Sequence, residues 1–204
     1  MSEKRKLVIA THNENKLTEI IFLLGSMNID MIGLDKFPDI TDIEETGSTL
    51  RENSLIKAKT VNKITGLPCL ADDTGLEVKA LGGAPGVYTA RYAGHNATFN
   101  ENVSKLLKKL NGIPSKKRKA RFKTIVCLYD GDYEVYAEGI INGVISLRPK
   151  GKGGFGYDSV FIPDSYTRTF AELNLEEKNR ISHRARAVNE IKMKLHSYFS
   201  KESI

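Results

Sequence analysis

The chain has 204 residues, 40% hydrophobic and 27% charged, with 17 Gly and six Pro, a composition that excludes a disordered or collagen-like polypeptide and predicts one folded domain spanning residues 1–204. Lys and Arg outnumber Asp and Glu by 31 to 25, and the net charge of +6 suits an anionic ligand of any size. Apolar runs such as Leu7 to Ala10 are too short for a signal-peptide core or a membrane span, so the expected location is cytoplasmic, with no membrane contact.

Helices and strands alternate along the chain, without repeats. Lys6 to Ala10 reads as a strand, followed by a helix capped at Asn13, carrying Leu17, Ile20, Ile21 and Leu24 and closed by Gly25. A second strand covers Ile29 to Leu34, and an acidic, turn-rich segment runs on to Ser48. Thr49 and Glu52 have capping-box spacing and open a helix with Leu50, Leu55, Ala58, Val61 and Ile64 on one side, stopped by Gly66 and Pro68. Pro68 to Ala71 predicts a short buried strand that delivers Asp72 and Asp73 at its end, where Thr74-Gly75 turns the chain.

The stretch Gly82 to Gly94 is a glycine-rich loop long enough to line a site. Thr98 and Glu101 form a second capping pair, opening a helix with Val103, Leu106, Leu107 and Leu110 inward and ending at Asn111-Gly112. Lys116, Lys117, Arg118, Lys119 and Arg121 make a basic stretch, read as a solvated face because no aromatic residue interleaves it. Phe122 to Tyr129 and Tyr133 to Ile141 form a hairpin across Asp130-Gly131, which makes the sheet mixed. A second glycine-rich loop, Gly151 to Gly156, precedes a strand from Tyr157 to Ile162. The last helix starts near Ser182, with Ala185, Val188, Ile191, Leu195 and Phe199 inward. Cys69 and Cys127 stand far apart in apolar surroundings and read as core thiols, not as a disulfide or zinc site.

Four segments hold groups that packing does not require. Thr11-His12-Asn13-Glu14-Asn15-Lys16 lies at a helix N-terminus, where backbone N–H groups favour an anion, although a plain capped turn reads equally well. Glu44, Glu45 and the Asp72-Asp73 pair concentrate negative charge that a hard cation such as Mg²⁺ offsets; the alternatives are a solvated acidic loop and a simple Asp/Gly turn. Gly151 to Asp158 combines flexible backbone with Phe155 and Tyr157 as faces for a planar ring and Asp158 as an acceptor, against a hairpin with two core aromatics. Lys178 with Ser182-His183-Arg184 places donors at a helix start, where the competing reading is a capped turn with exposed basic residues.

Taken together, ATHNENK (10–16), ETGSTLRENSLIKA (45–58), ADDTG (71–75), LGGAPGVYTARYAG (81–94), GGFGYD (153–158) and SHR (182–184) resemble the HAM1-like inosine/xanthosine triphosphate pyrophosphatase family over nearly the whole chain. The resemblance implies an α/β fold, two-lobed, with a long mixed β-sheet, flanking helices and a central substrate cleft. It implies a homodimer that hydrolyses ITP, dITP or XTP to the monophosphate and pyrophosphate with Mg²⁺, refuses adenine, and binds no nucleic acid stably. By position it makes Asp73 the general base, with Asp72 and Lys16 beside it in catalysis, and Glu45 and Asp73 the metal ligands. Thr11, His12, Asn13, Glu14, Asn15, Lys16, Lys57 and Thr74 become triphosphate contacts. Phe155, Gly156, Tyr157, Asp158, Lys178, His183 and Arg184 become the base-recognition set. Three positions depart from the family's commonest pattern: His12 in place of a small residue, Leu50 in place of Phe, and Ser159 in place of Pro. The rival readings are a Maf-like pyrophosphatase of different base preference and a non-enzymatic nucleotide or nucleic-acid binding module.

Overall fold

A computed structural model describes residues 5–201. Strand order along the sheet is β2 (Ile29–Gly33), β1 (Arg5–Ile9), β3 (Cys69–Val78), β5 (Lys119–Asp130), β6 (Tyr133–Ile145) and β7 (Phe161–Pro163), with β4 (Pro85–Gly86) beside β3. The chain packs as two compact units, the first made of residues up to Asp73, Thr124–Gly139 and Arg184 onward, the second of Thr74–Lys123 and Ile140–His183.

The first unit contains β1 (Arg5–Ile9), α1 (Glu14–Leu24), β2 (Ile29–Gly33), α2 (Leu50–Thr65), the start of β3 (Cys69–Val78) and nearly all of α5 (His183–Lys201). It also holds the end of β5 (Lys119–Asp130) and the beginning of β6 (Tyr133–Ile145). β1 runs parallel to β2 and to β3, with Leu7 opposite Met31 and Val8 opposite Cys69. A strand buried on both faces needs apolar residues throughout, and Leu7 to Ala10 supplies them. Leu7, Ile9 and Leu70 pack with Ile20 and Leu24 of α1 and Val188 and Ile191 of α5. Val8, Ala10, Cys69 and Ala71 pack on the other face with Ala58 and Val61 of α2. Both cysteines are unbridged, and burial pushes each thiol up to about 12, as core thiols require.

The second unit contains the end of β3, the short β4 (Pro85–Gly86), α3 (Phe99–Lys109), β7 (Phe161–Pro163) and α4 (Leu175–Ile181), with the remaining parts of β5 and β6. β4 and β7 pair antiparallel with β3 and β6, which makes the sheet mixed as expected. Leu76, Val103, Leu106, Phe122, Ile145, Phe161 and Phe170 form its core.

Three expectations need correction. No turn follows Asp73, because β3 continues through Asp72-Asp73-Thr74-Gly75 to Val78. The local turn preference yields to cations that meet both carboxylates inside the fold. No strand begins at Tyr157: the backbone turns there, held by Asp158 N–H to Phe155 O at 3.1 Å and Val160 N–H to Tyr157 O at 3.0 Å, and β7 starts at Phe161. Ahead of the last helix lies α4, whose Asn174–Glu177 capping box has the same spacing as those recognised at residues 49 and 98. Among the described residues, no helix is long and apolar enough to cross a membrane.

Candidate active site

Successive residues of a strand point to opposite faces, so Asp72 and Asp73 cannot share one environment. Asp72 follows Leu70 toward α1 and α5, and Asp73 follows Ala71 toward α2. Asp72, 1% exposed, accepts from Arg184 Nε at 3.2 Å and Nη2 at 3.1 Å, and Lys16 Nζ lies 3.3 Å away. Arg184 reaches Glu19 with its other terminal nitrogen. Burial works to raise the Asp72 carboxyl, but Lys16, Arg184 and Lys57 outweigh it and hold it well below the usual carboxylate range. Burial likewise lowers Lys16, against the pull of Asp72.

The α2 face holds the second cluster. Lys57, 9% exposed, donates to Glu45 Oε1 and lies 3.4 Å from Asp73 Oδ1, while Asn53 donates to Asp73 Oδ2 at 3.2 Å. Two carboxylates therefore divide one ammonium. Burial would lower Lys57, yet Asp73 and Glu45 together raise it. Asp73 is raised by its own burial, and the relief from Lys57 is offset by the Glu45 charge beside it. Lys57 thus stands between the two carboxylates, with Lys16 adding a more distant positive charge to Asp73. Among the described residues no group of three His, Cys, Asp or Glu side chains gathers as a metal cage. Two carboxylates on an all-oxygen edge are still what a hydrated hard cation takes from a protein.

The loop before α1 is more fully bonded than its sequence predicts. The Asn13 side chain accepts from the N–H groups of Asn15 at 3.0 Å and Lys16 at 3.2 Å, and Asn13 N–H donates to Thr11 Oγ1 at 3.2 Å. The helix N-terminus is thus self-capped, and the Lys16 ammonium is the loop's main positive group. Glu14 and Asn15 are exposed, and His12 Nε2 lies 3.2 Å from the Thr41 carbonyl oxygen, tying this loop to the segment that leads to Glu45.

Within the second unit, Asp158 accepts from Lys178 Nζ at 2.5 Å and from Phe155 N–H at 2.9 Å. The second bond demands glycine at Gly154, where φ is +67° and a Cβ would stand 2.1 Å from the Asp158 carboxylate. Gly156 also has positive φ. Lys178 Nζ sits 4.7 Å from the centroid of the Phe155 ring, and Phe99 lies 6.1 Å from the same ring on the other element, the start of α3. Tyr157 departs from expectation as a ring face for a ligand: it is 3% exposed, packs in the core, and donates its hydroxyl to Thr89 O at 3.0 Å. His183 is buried with its ring stacked on Phe122 at 4.5 Å. Thr74 follows Asp73 on β3 as the first residue of this unit.

The structure thus gathers Lys16, Glu45, Lys57, Asp72, Asp73 and Arg184 in the first unit, and Phe155, Asp158 and Lys178 in the second. Arg184 stands with the carboxylates and not with Asp158. Sequence reasoning overlooked Glu19, Asn53 and Phe99. Asn53 was open to discovery, since it lies one helical turn before Lys57 and shares its face. Glu19 carries no local sign, because its partner is 165 positions away.

Residues 7–194 match the pattern of the Ham1 family. The dITP/XTP pyrophosphatase of Caldanaerobacter subterraneus subsp. tengcongensis is 48% identical over 92% of this chain and 94% of its own, and that of Porphyromonas gingivalis is 49% identical over 92% and 95%. Among solved structures, a HAM1 protein from Coxiella burnetii superposes with a TM-score of 0.85 at 42% identity, covering 95% of this chain and 99% of that one. The Staphylococcus aureus Ham1 protein gives 0.83 at 35% identity, over 95% and 100%.

Proposed function

The chain belongs to the Ham1 family, and from that premise we propose that it is a pyrophosphatase of non-standard purine nucleoside triphosphates, releasing pyrophosphate and the monophosphate from dITP, XTP and ITP. The observation that carries the reading is the Glu45–Lys57–Asp73 cluster, in which half-buried Glu45 and buried Asp73 divide one cation and Asp73 is left with a raised affinity for a proton. A carboxylate in that condition is a better base toward water than an ordinary surface aspartate. Asp73 takes the proton of the attacking water, and the Asn53 amide fixes its orientation. Mg²⁺ is the expected cofactor; held by Glu45 and Asp73, it supplies positive charge to the phosphoryl oxygens.

Asp72 acts differently. Pinned in its ionised form by Lys16 and Arg184, it holds no proton to exchange and orients the Lys16 ammonium, which contacts the triphosphate. Arg184 is therefore a positioning residue for Asp72. Thr11, His12, Asn13 and Thr74 complete the phosphate contacts of this reading, with Lys57 moving from the carboxylates to substrate oxygens. The Lys178–Asp158 pair with the Phe155 ring serves the base: an ammonium donor favours an oxygen at purine position 6 and leaves an amino group facing a donor. The reading includes a homodimer in the cytoplasm, working on a small nucleotide without nucleic acid.

Pyrophosphate release measured with Mg²⁺ across ITP, dITP, XTP, ATP and GTP tests the proposal. The expected result is fast release from the first three and little from the last two; equal rates on ATP would refute the preference for an oxygen at position 6, and GTP, which shares that oxygen, reports on refusal of the 2-amino group. Asp73→Asn is expected to abolish release while circular dichroism stays that of the native fold.

A further inference from the structure

The basic stretch at residues 116–121 divides in the folded chain. Arg118 is buried, and its guanidinium donates to the carbonyls of Leu110 and Ile113 at 2.8 Å each and of Ser146 at 3.1 Å, clamping the end of α3. Lys119 and Arg121 are exposed and two residues apart on β5, so both point away from the face that buries Phe122. On that outer face they line, with Glu77, Lys79, Gly83 and Asn142 of the same unit, a cavity of about 340 Å³.

Three cations and one carboxylate meet there. Glu77 is engaged by Arg121 Nε at 2.6 Å, which fixes the guanidinium plane and leaves its terminal nitrogens as a donor fork. Lys79, Lys119 and the Asn142 carboxamide have no side-chain hydrogen bond or ion pair among the described residues, so two positive charges and a neutral amide remain for a ligand. The volume lies near the lower end of small-molecule sites, roughly 300–1,000 Å³, which suits a compact anion and not an extended polymer. Solvated surface lysines normally spread apart; here a carboxylate-anchored arginine, two uncompensated lysines and an amide converge on one hollow.

We propose that this hollow is a second anion site, separate from the carboxylate clusters, that binds a compact phosphate anion carrying at least two negative charges. Free pyrophosphate and the phosphate end of a nucleoside monophosphate share that chemistry. The inference rests on the hollow's own charges and does not depend on the proposed reaction.

Calorimetric titration of the full chain with inorganic pyrophosphate, without divalent metal, tests it by stoichiometry. The native protein is expected to show one binding class that the Lys79→Ala/Lys119→Ala variant lacks, or holds at least about tenfold more weakly, while Lys79→Arg/Lys119→Arg retains it. Both residues are exposed, and an unchanged thermal midpoint checks that the variants fold. Displacement of pyrophosphate by inosine monophosphate assigns the site to the phosphate end of a nucleotide, and failure to displace assigns it to free pyrophosphate. Identical isotherms for native and alanine variant overturn the proposal. So does binding of a single-stranded oligonucleotide alone, with a steep salt dependence, through the same residues.

Discussion

Two neighbouring aspartates of one strand take opposite chemical characters because the pleat sends them to opposite helices. Asp72 meets Lys16 and Arg184 and is held ionised, whereas Asp73 meets a lysine already claimed by Glu45 and is left proton-hungry. The sequence shows both carboxylates but not this division, because its cause is the strand's continuation through residues that locally favour a turn. A further detail lies at Phe99, which is 45% exposed while its ring packs at 48° against Phe155. Aromatic pairs of this kind contribute about 0.5–1.5 kcal/mol beyond area burial, enough to hold the Phe155 ring in the position proposed for a base contact. Phe99→Ala is therefore expected to raise KM for ITP about three- to tenfold with kcat unchanged, and Phe99→Tyr to restore it. Steady-state kinetics decide: a fall in kcat at constant KM removes Phe99 from base positioning.

At the level of elements, local capping signals were the most legible part of the fold. Thr49–Glu52 and Thr98–Glu101 both form reciprocal capping boxes, and α2 and α3 start where their spacing places them. The hairpin and the last helix were legible for the same reason, since Gly131 adopts the positive φ a tight turn needs and α5 buries its predicted stripe. What escaped was of two kinds: the extension of β3 is set by partners distant in sequence, whereas the turn before β7 is held by bonds three residues apart and α4 opens on a local capping box that the sequence reading passed over. The start of α2 also serves the site, because Asn53 and Lys57 project from its first two turns. Thr49→Ala is expected to cost about 1 kcal/mol in urea unfolding, with Thr49→Asn close to native. Frayed in its first turn, the alanine variant should also lose turnover beyond what its stability explains, whereas a purely structural cap would leave turnover untouched at temperatures where the variant is folded.

For the molecule as a whole, the site is a local reservoir of unfavourable electrostatics, and the sign of that strain is testable. Asp72 and the capping carboxylates Glu52, Glu101, Glu172 and Glu177 have lowered proton affinity in the fold. Their contribution to stability is fully present above the unfolded values of about 4 and is lost as pH falls through the lower folded values. Asp73 runs the other way. Its folded affinity for a proton is raised, so the fold is favoured by its protonated form at low pH, and that advantage disappears as pH rises through the folded value. Wherever Asp73 is ionised its charge is then a burden on the native state, as the proposed role of a base requires. Asp73→Asn should accordingly raise the thermal midpoint at pH 7 in the absence of divalent metal and leave it little changed, or lower, near pH 3. Adding Mg²⁺ should raise the midpoint of the native protein at pH 7 and raise that of the variant less, since the cation relieves the charge that the amide has already removed. A variant less stable than the native protein at pH 7 would mean that Lys57 fully compensates both carboxylates, and the basis for Asp73 as a base would be lost.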